Sequence, residues 1–429
     1  MQLAFKEVSY PSTFRKKDAE ILGKHLKLRH SVEIVGMKRV GISNFLRFFL
    51  YHPKIVKTYI SKTEKHLFIP VDLNDLVERE LMPFWVLTLK RLSDAVESSD
   101  CDRATKSKVS SLFLQSIQLQ DNFLTIENIK KAILTVIEQG YIPTIFLLRF
   151  DRMKEAASHE FFSNLQGLVT ASNSLLSFVF TSVRPLDQIR SDVFTREELM
   201  TFSHLMYIEP ARKQDTQIAL SSIWDTYRTK QPNEILNAVL ALSGGHMQYV
   251  YLANVILNEK TTNGNTKPYT TDEIKELLLS DERVKLQSEE IYESLTKAEQ
   301  EVIKSAVGQT KPECTTETKY LCDTGIIQKS GIFSQIFEQF VLKHTKKRRD
   351  DIDFSKKEHQ LYSLLLENLD SICERDTIIH AVWPESEEIG VSDWTIDRLV
   401  ARLRQKLALQ KSEYKIVTVK TRGYKLVQS

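Results

Sequence analysis

FSKKEHQLYSLLLEN (354–368), ERDTIIHAVWPE (374–385), VSDWTIDRLVARLRQKL (391–407) and YKIVTVKTRGYKL (414–426) follow one another near the end of this 429-residue chain. In the third stretch Ile396, Leu399, Val400, Leu403 and Leu407 recur every three or four residues, which puts them on one face of an α-helix. Arg398, Arg402 and Gln405 fall on another phase and are expected to share an outward face, with Ser392 as the N-cap. The first two stretches read as shorter helices, and the fourth as two strands joined at a tight turn.

Charge here is lopsided. From Arg398 onward, Arg398, Arg402, Arg404, Lys406, Lys411, Lys415, Lys420, Arg422 and Lys425 stand against the single acid Glu413, whereas Glu385, Glu387, Glu388, Asp393 and Asp397 lie just ahead. A cationic helix beside a cationic hairpin suits a surface that meets phosphates. Three helices and a hairpin in this order form a winged helix-turn-helix. Its third helix would read base edges in the major groove while the hairpin tip meets backbone or minor groove.

The segment resembles the OmpR/PhoB-type winged-helix domain of bacterial transcription regulators. The matching residues are Ser355 and Glu358 opening the first helix, Arg375 and Asp376 opening the second, and Trp383-Pro384 closing it. Thr395, Leu403, Arg404, Lys406 and Leu407 match the recognition helix, and Thr421, Arg422, Gly423 and Tyr424 the wing. The resemblance implies double-stranded DNA as partner, with Trp394, Thr395, Arg398, Arg402, Arg404, Gln405, Lys420, Thr421, Arg422 and Tyr424 as the contact residues. It also implies a homo-oligomer, since many such regulators bind tandem half-sites. One departure is that only KKRRDDIDF precedes the first helix, where that family opens with a small antiparallel sheet. The competing reading is a winged helix used for protein contacts.

The chain is 42% hydrophobic and 27% charged with a net charge of +3, so affinity for nucleic acid must come from local patches. Cys101, Cys314, Cys322 and Cys373 are scattered without a CxxC pair, which suits a reducing cytoplasm and argues against a zinc site; no metal is expected. No signal peptide or long apolar run is evident, so no membrane partner is expected.

Toward the N-terminus, a helix over FRKKDAEILGKHLKL (14–28) precedes SVEIVGMKRVGISNFLRFFL (31–50). Val32 to Val35 reads as a strand, followed by a loop and a helix from about Ser43, the context of a phosphate-binding loop. Gly36, Gly41 and Ser43 fit GxxxxGK[ST], but Ile42 stands where the lysine should be. Isoleucine cannot carry charge to the β- and γ-phosphates, although backbone amides and the helix N-terminus still can hold a phosphate. A scaffold kept only for folding is the alternative. Candidate nucleotide contacts are Gly36, Lys38, Arg39, Gly41, Ser43, Asn44, Asp151, Arg184 and His246, with ATP or ADP and Mg²⁺ as the candidate cofactor.

HLFIPVDL (66–73), TIFLLRFDRM (144–153), SFVFTSVRPL (177–186) and LMYIEP (205–210) read as further strands. Helical stretches between them are expected at about 76–92, 106–119 and 126–139, giving a parallel sheet with helices on both faces. At the exit of the third strand Leu148 and Arg149 fill the slot of a Mg²⁺-binding carboxylate, and Asp151 comes late. Helices at 214–229, 233–242, 247–258 and 271–280 follow. This region resembles the STAND and AAA-like P-loop ATPases, on Gly36, Gly41, Ser43, Ser182–Arg184 and Ser243-Gly244-Gly245-His246, with Ile42, Arg149 and Met247 departing from pattern. The 291–344 segment resembles the winged helix that commonly follows the lid in STAND proteins, used for packing and relay.

The expected fold class is α/β: a P-loop NTPase sheet with a helical lid, then two winged helices. The expected division is 1–210, lid 211–285, first winged helix 286–345, charged linker 346–353 and DNA-binding winged helix 354–429. The expected function is a cytoplasmic DNA-binding regulator whose degenerate P-loop region serves as switch or oligomerisation platform, with hydrolysis lost and no catalytic residue assigned. An N-terminus without a phosphoacceptor's acidic cluster gives no indication of control by a histidine kinase. The alternatives are an active DNA-associated ATPase, initiator-like or defence-related, and a protein scaffold. Ile42 and Arg149 speak against the first, and Arg398, Arg402, Arg404 and Arg422 against the second.

Overall fold

The computed structural model describes residues 5–227, 232–262, 269–307, 315, 318–347, 354–383, 393–409, 412–419 and 422–428. The chain forms two compact units, Met1–Leu342 and Lys343–Ser429.

In the first unit β1 (Ser31–Val35), β2 (Lys65–Asp72), β3 (Tyr141–Leu148), β4 (Ser177–Ser182) and β5 (Ser203–Tyr207) pair in parallel in the order β2-β3-β4-β1-β5. α1 (Lys16–Lys27) precedes β1 and α2 (Ile42–Tyr51) follows it. α3 (Leu81–Glu97), α4 (Arg103–Leu119) and α5 (Asn122–Glu138) lie between β2 and β3; α6 (His159–Ala171), α7 (Leu186–Ile189) and α8 (Arg196–Phe202) occupy the later connections. Successive strand residues feed opposite cores, because side chains alternate across a sheet. Phe146 and Val179 join Phe14, Phe45, Phe48 and Tyr249, whereas Ile145, Phe178 and Phe180 join Phe84, Trp85 and Phe161. That is why β1, β3 and β4 are buried along almost their whole length.

Two prolines sit where the ladder tolerates them. Pro70 is on β2, an edge strand, and Pro143 precedes the first β3–β4 pair, Thr144 with Ser177. The helix expected at about 76 begins instead at Leu81, where Pro83 falls in its first turn and costs no hydrogen bond.

α9 (Lys213–Tyr227), α10 (Asn233–Ser243), α11 (Met247–Thr262), α12 (Thr271–Ser280) and α13 (Glu282–Glu293) follow the sheet. α14 (Lys297–Ala306), α15 (Lys319–Asp323), the short hairpin β6 (Ile327–Gln328) and β7 (Gly331–Ile332), and α16 (Gln335–Lys347) follow. Tyr292, Ile303 and Phe337 share one hydrophobic core with Phe45 and Phe48 of α2, so these helices are packed with the sheet in one unit. Gly244 and Gly245 have φ of 57° and 80°, and a Cβ on them would lie 1.8 Å from the Phe333 carbonyl and 2.0 Å from that of Ala211. Only glycine permits that approach. Cys101 and Cys373 are free and buried, whereas Cys322 is disulfide-bonded, which its scattered spacing did not announce. No helix among the described residues is long and apolar enough to cross a membrane.

The second unit contains α17 (Lys356–Glu367), β8 (Cys373–Glu374), α18 (Arg375–Val382), α19 (Asp393–Leu409), β9 (Tyr414–Val419) and β10 (Gly423–Gln428). The strands pair antiparallel in the order β8-β10-β9. Ile396, Leu399, Val400, Leu403 and Leu407 are buried against Leu361, Leu365, Ile378 and Leu426, as their spacing predicts. Among the described residues of this unit no strand precedes α17. α16 runs through Lys347 into the stretch expected as linker; residues 348–353, Pro384 and Ser392 lie outside the described residues.

Candidate functional site

The turn between β1 and α2 has the outline of a phosphate cradle. Gly41, at φ 117°, is the N-cap of α2, and no side chain caps that helix start. A Cβ on Gly41 would lie 2.5 Å from Met247 Cγ, so the turn needs glycine both for its backbone and for the close approach of α11. Ile42 Cδ1 lies 3.3 Å from where a Gly36 Cβ would be, which folds the isoleucine back into the apolar underside of the loop. Ser43 is exposed and Lys38 half-exposed.

Several of the expected nucleotide contacts are engaged elsewhere in the protein. Arg39, at φ 58°, donates from Nε to Glu290 Oε2 on α13 at 2.9 Å. Asn44 Nδ2 donates to Glu7 Oε1 at 2.9 Å, which Arg47 Nη1 also reaches at 2.9 Å. His246 is fully buried, and burial pulls its pKa down to about 4 despite the opposing pull of its bond to Lys38. The neutral ring therefore carries its proton on Nε2 and donates it to the Lys38 carbonyl at 2.8 Å, while Nδ1 accepts from the Tyr249 N–H at 3.4 Å. His246, Met247 and Glu290 thus clasp the loop from α11, its N-terminal turn and α13.

The strand exits show the same economy. Arg149, at φ 60°, pairs with Asp72 at the end of β2, and its backbone N–H donates to Thr181 Oγ1 at 2.7 Å. Asp151 sits half-exposed on the next turn, Phe150–Met153. Arg184 grips Glu299 of α14 with both terminal nitrogens, at 2.7 and 2.5 Å, and reaches the Ser294 carbonyl at 2.9 Å. Its guanidinium lies 3.7 Å over the Tyr320 ring. A bidentate fork of this kind is geometrically specific. The sequence expected Arg184 as a nucleotide contact, but its fork is turned toward Glu299 of α14.

Sequence reasoning missed Arg15, which reads as part of a solvated RKKD helix start. The residue is 4% exposed and holds φ 46°. Its Nη1 donates to Asp18 at 2.9 Å and to the Glu209 carbonyl at 3.1 Å. Its buried Nε and Nη2 have no hydrogen-bond partner among the described residues, and Nη2 lies 3.6 Å from where a Gly41 Cβ would be. A buried guanidinium with unused donors beside an uncapped helix N-terminus is an anion-seeking arrangement.

In the second unit α19 presents Trp394 and Gln405 to solvent, with Arg398 lying 5.4 Å over the Trp394 ring. Arg402 corrects the expected outward face. Its side chain is only 12% exposed and turns to Glu358 of α17 at 3.9 Å, beside Lys406, which reaches the same carboxylate at 2.5 Å. The cause is Glu358, a buried carboxylate that closes the capping box with Ser355 and draws both cations inward.

Arg404 is also committed inside the domain, donating to the Ile416 carbonyl at 2.9 Å and to Thr418 Oγ1 at 2.8 Å. Tyr424 is buried, donates its hydroxyl to Asp397 and accepts from Arg375 Nη2 at 3.3 Å. Thr395 is half-buried, and Arg422 is exposed, 3.8 Å from Glu374. Lys420 and Thr421 lie outside the described residues.

Residues 349–426 match the family described as "Transcriptional regulatory protein, C terminal". The heme response regulator HssR of Staphylococcus epidermidis is 38% identical over 78 residues, which are 18% of this chain and 34% of that protein. The chain thus spans about a third of the length of that curated relative. Among solved structures, the Aeropyrum pernix ORC2 protein (ADPNP-ADP complexes) overlaps 78% of this chain and 95% of its own, at 9% identity and a TM-score of 0.47. A Walker-type ATPase of Pyrococcus abyssi overlaps 79% and 100%, at 16% identity and a TM-score of 0.47. The C-terminal unit has the helix and hairpin order of a winged helix within the segment that matches this family, and the N-terminal unit is an α/β fold on a five-stranded parallel sheet.

Proposed function

We propose that this protein is a DNA-binding transcription regulator that acts in the cytoplasm, with α19 in the major groove and the β9–β10 wing on the backbone. The observation that carries the reading is the α19 face on which the half-buried Arg398 lies between the exposed Trp394 and Gln405, beside a cationic wing, within the segment that matches a regulator's C-terminal domain. Arg398→Ala is expected to weaken binding to a selected site by about 1–3 kcal/mol, as loss of one base-reading arginine does. Arg422→Ala is expected to weaken binding evenly across sequences and to lower the salt slope by about one, measured by titration at several salt concentrations.

The P-loop unit serves in this proposal as a switch or oligomerisation platform. ATP or ADP is the fitting cofactor: Gly36 to Ser43 and the start of α2 would hold its phosphates, and Arg15 would supply the charge that Ile42 lacks. The donor set suits phosphates better than Mg²⁺, because an arginine–aspartate pair, Arg149 with Asp72, stands at the strand exit where a free carboxylate would serve the metal. That favours nucleotide binding without efficient hydrolysis over an active DNA-associated ATPase. A phosphate at Gly41 competes with Met247, so binding would be coupled to movement of the lid.

Selection of bound sequences from a random duplex library, with and without ATP–Mg²⁺, tests both halves. An enriched motif supports the regulator, and its dependence on nucleotide supports the switch. No enrichment overturns the regulator and leaves the scaffold reading. A mass measurement in solution tests the homo-oligomer.

A further inference from the structure

We propose that His25, His30 and His204 form a binding site for a divalent transition-metal ion, with Zn²⁺ as the best-suited first-row metal. His25 lies near the end of α1, His30 in the turn before β1, and His204 on β5. Parallel pairing sets His204 abreast of Val32, two residues after His30, and Arg29 at φ 61° turns the chain from α1 back into β1. Residues far apart in the chain thus meet at one end of the sheet's β5 edge.

The spacing of the donors fits an ion. Nδ1 of His25 and Nδ1 of His30 are 3.5 Å apart, and one ligand nitrogen from each of the three rings lies within 4.8 Å of the others. With Zn–N bonds of about 2.0–2.1 Å, two ligands of a tetrahedral ion stand about 3.4 Å apart. The three rings crowd together, with centroids 4.3 to 5.7 Å apart, so a small rotation converges all three on one point.

The protonation state also suits ligation. Burial first, then the charge of the neighbouring imidazoles, holds His25 and His30 below the ordinary histidine range. An imidazole binds a metal ion through the lone pair of its neutral ring. Two neutral Nδ1 atoms face each other only if one donates to the other or a cation lies between them. His204 is exposed, so the remaining coordination position opens to water, the arrangement of three protein ligands and one open site. Imidazole ligands suit zinc, nickel and copper, and by geometry a tetrahedral set favours zinc. The ion would clip the end of α1 to β5, and α1 is the helix that begins beside Arg15 at the P-loop.

The test uses the untagged full chain, stripped with a chelator and titrated with Co²⁺. The expected result is an intense visible absorption band of a four-coordinate ion that saturates at one equivalent and is displaced by Zn²⁺. His204→Ala, at an exposed position, is expected to weaken Zn²⁺ binding by about a hundredfold with unchanged circular dichroism, and His204→Asp to restore part of it. Absence of the band, or a band of equal strength and affinity in His204→Ala and His30→Ala, overturns the site. The readout is independent of DNA and nucleotide, so failure here leaves the regulator reading untouched, and the reverse.

Discussion

Arg184→Ala is expected to lower the stability of the N-terminal unit by about 3 kcal/mol, the scale of breaking a buried ion pair from one side. The arginine's side chain is 15% exposed and its partner Glu299 7%, so truncation strands a buried carboxylate as well as removing the fork. The Ser294 carbonyl loses a donor and the Tyr320 ring its stacked cation. A denaturant melt followed by circular dichroism measures the loss; a change under about 1 kcal/mol would mean that the pair is as weak as one in open solvent.

The second large effect is expected at Glu358→Gln, again about 3 kcal/mol, now in the C-terminal unit. Glutamine keeps an acceptor for the Ser355 N–H but leaves Lys406 and Arg402 facing each other without a counter-charge. Because these cations belong to α19, the variant is expected to lose DNA affinity through loosening of that helix, with recovery in the cold. Arg402→Ala should behave as a stability variant, and Arg398→Ala as a binding variant with an unchanged melt. Equal melts for Glu358→Gln and the unaltered chain would refute this division of labour.

Both glutamates make stability depend on acid. Burial by itself would raise each carboxyl. For Glu299 the Arg184 fork outweighs burial, and for Glu358 the bonds from Lys406 and Ser355 together with the charge of Arg402 do so, and both titrate below the ordinary 4.5. A lowered folded-state pKa means that the unfolded chain takes up the proton first. The stabilisation is then fully present above about pH 4.5 and is lost as the pH falls through the lowered values. The Glu299→Gln and Glu358→Gln variants should show a flatter fall in stability between pH 5 and 3 than the unaltered protein.

Local pattern determined a good deal. The apolar spacing from Ile396 to Leu407 identified α19 and its buried face, because helical periodicity is written every three or four residues. The largely apolar runs of β1, β3 and β4 announced strands covered on both faces, and Gly36 and Gly41 announced the turn between strand and helix. Ser355 with Glu358 marked the start of α17, at which a capping box stands; the capping box of Thr296 and Glu299 at α14 went unread.

The fate of charged side chains was decided only in three dimensions. Arg402, Arg404 and Arg184 have the same local signature as solvent-facing or ligand-facing arginines, yet each is claimed by an acceptor brought from elsewhere: Glu358, the Ile416 carbonyl and Glu299. Arg15 looked solvated and is buried beside Gly41, while His25, His30 and His204 meet only because β5 pairs with β1. A hydrophobic face is legible because it repeats along one element. A polar partner is a single contact between distant elements, and no periodicity records it.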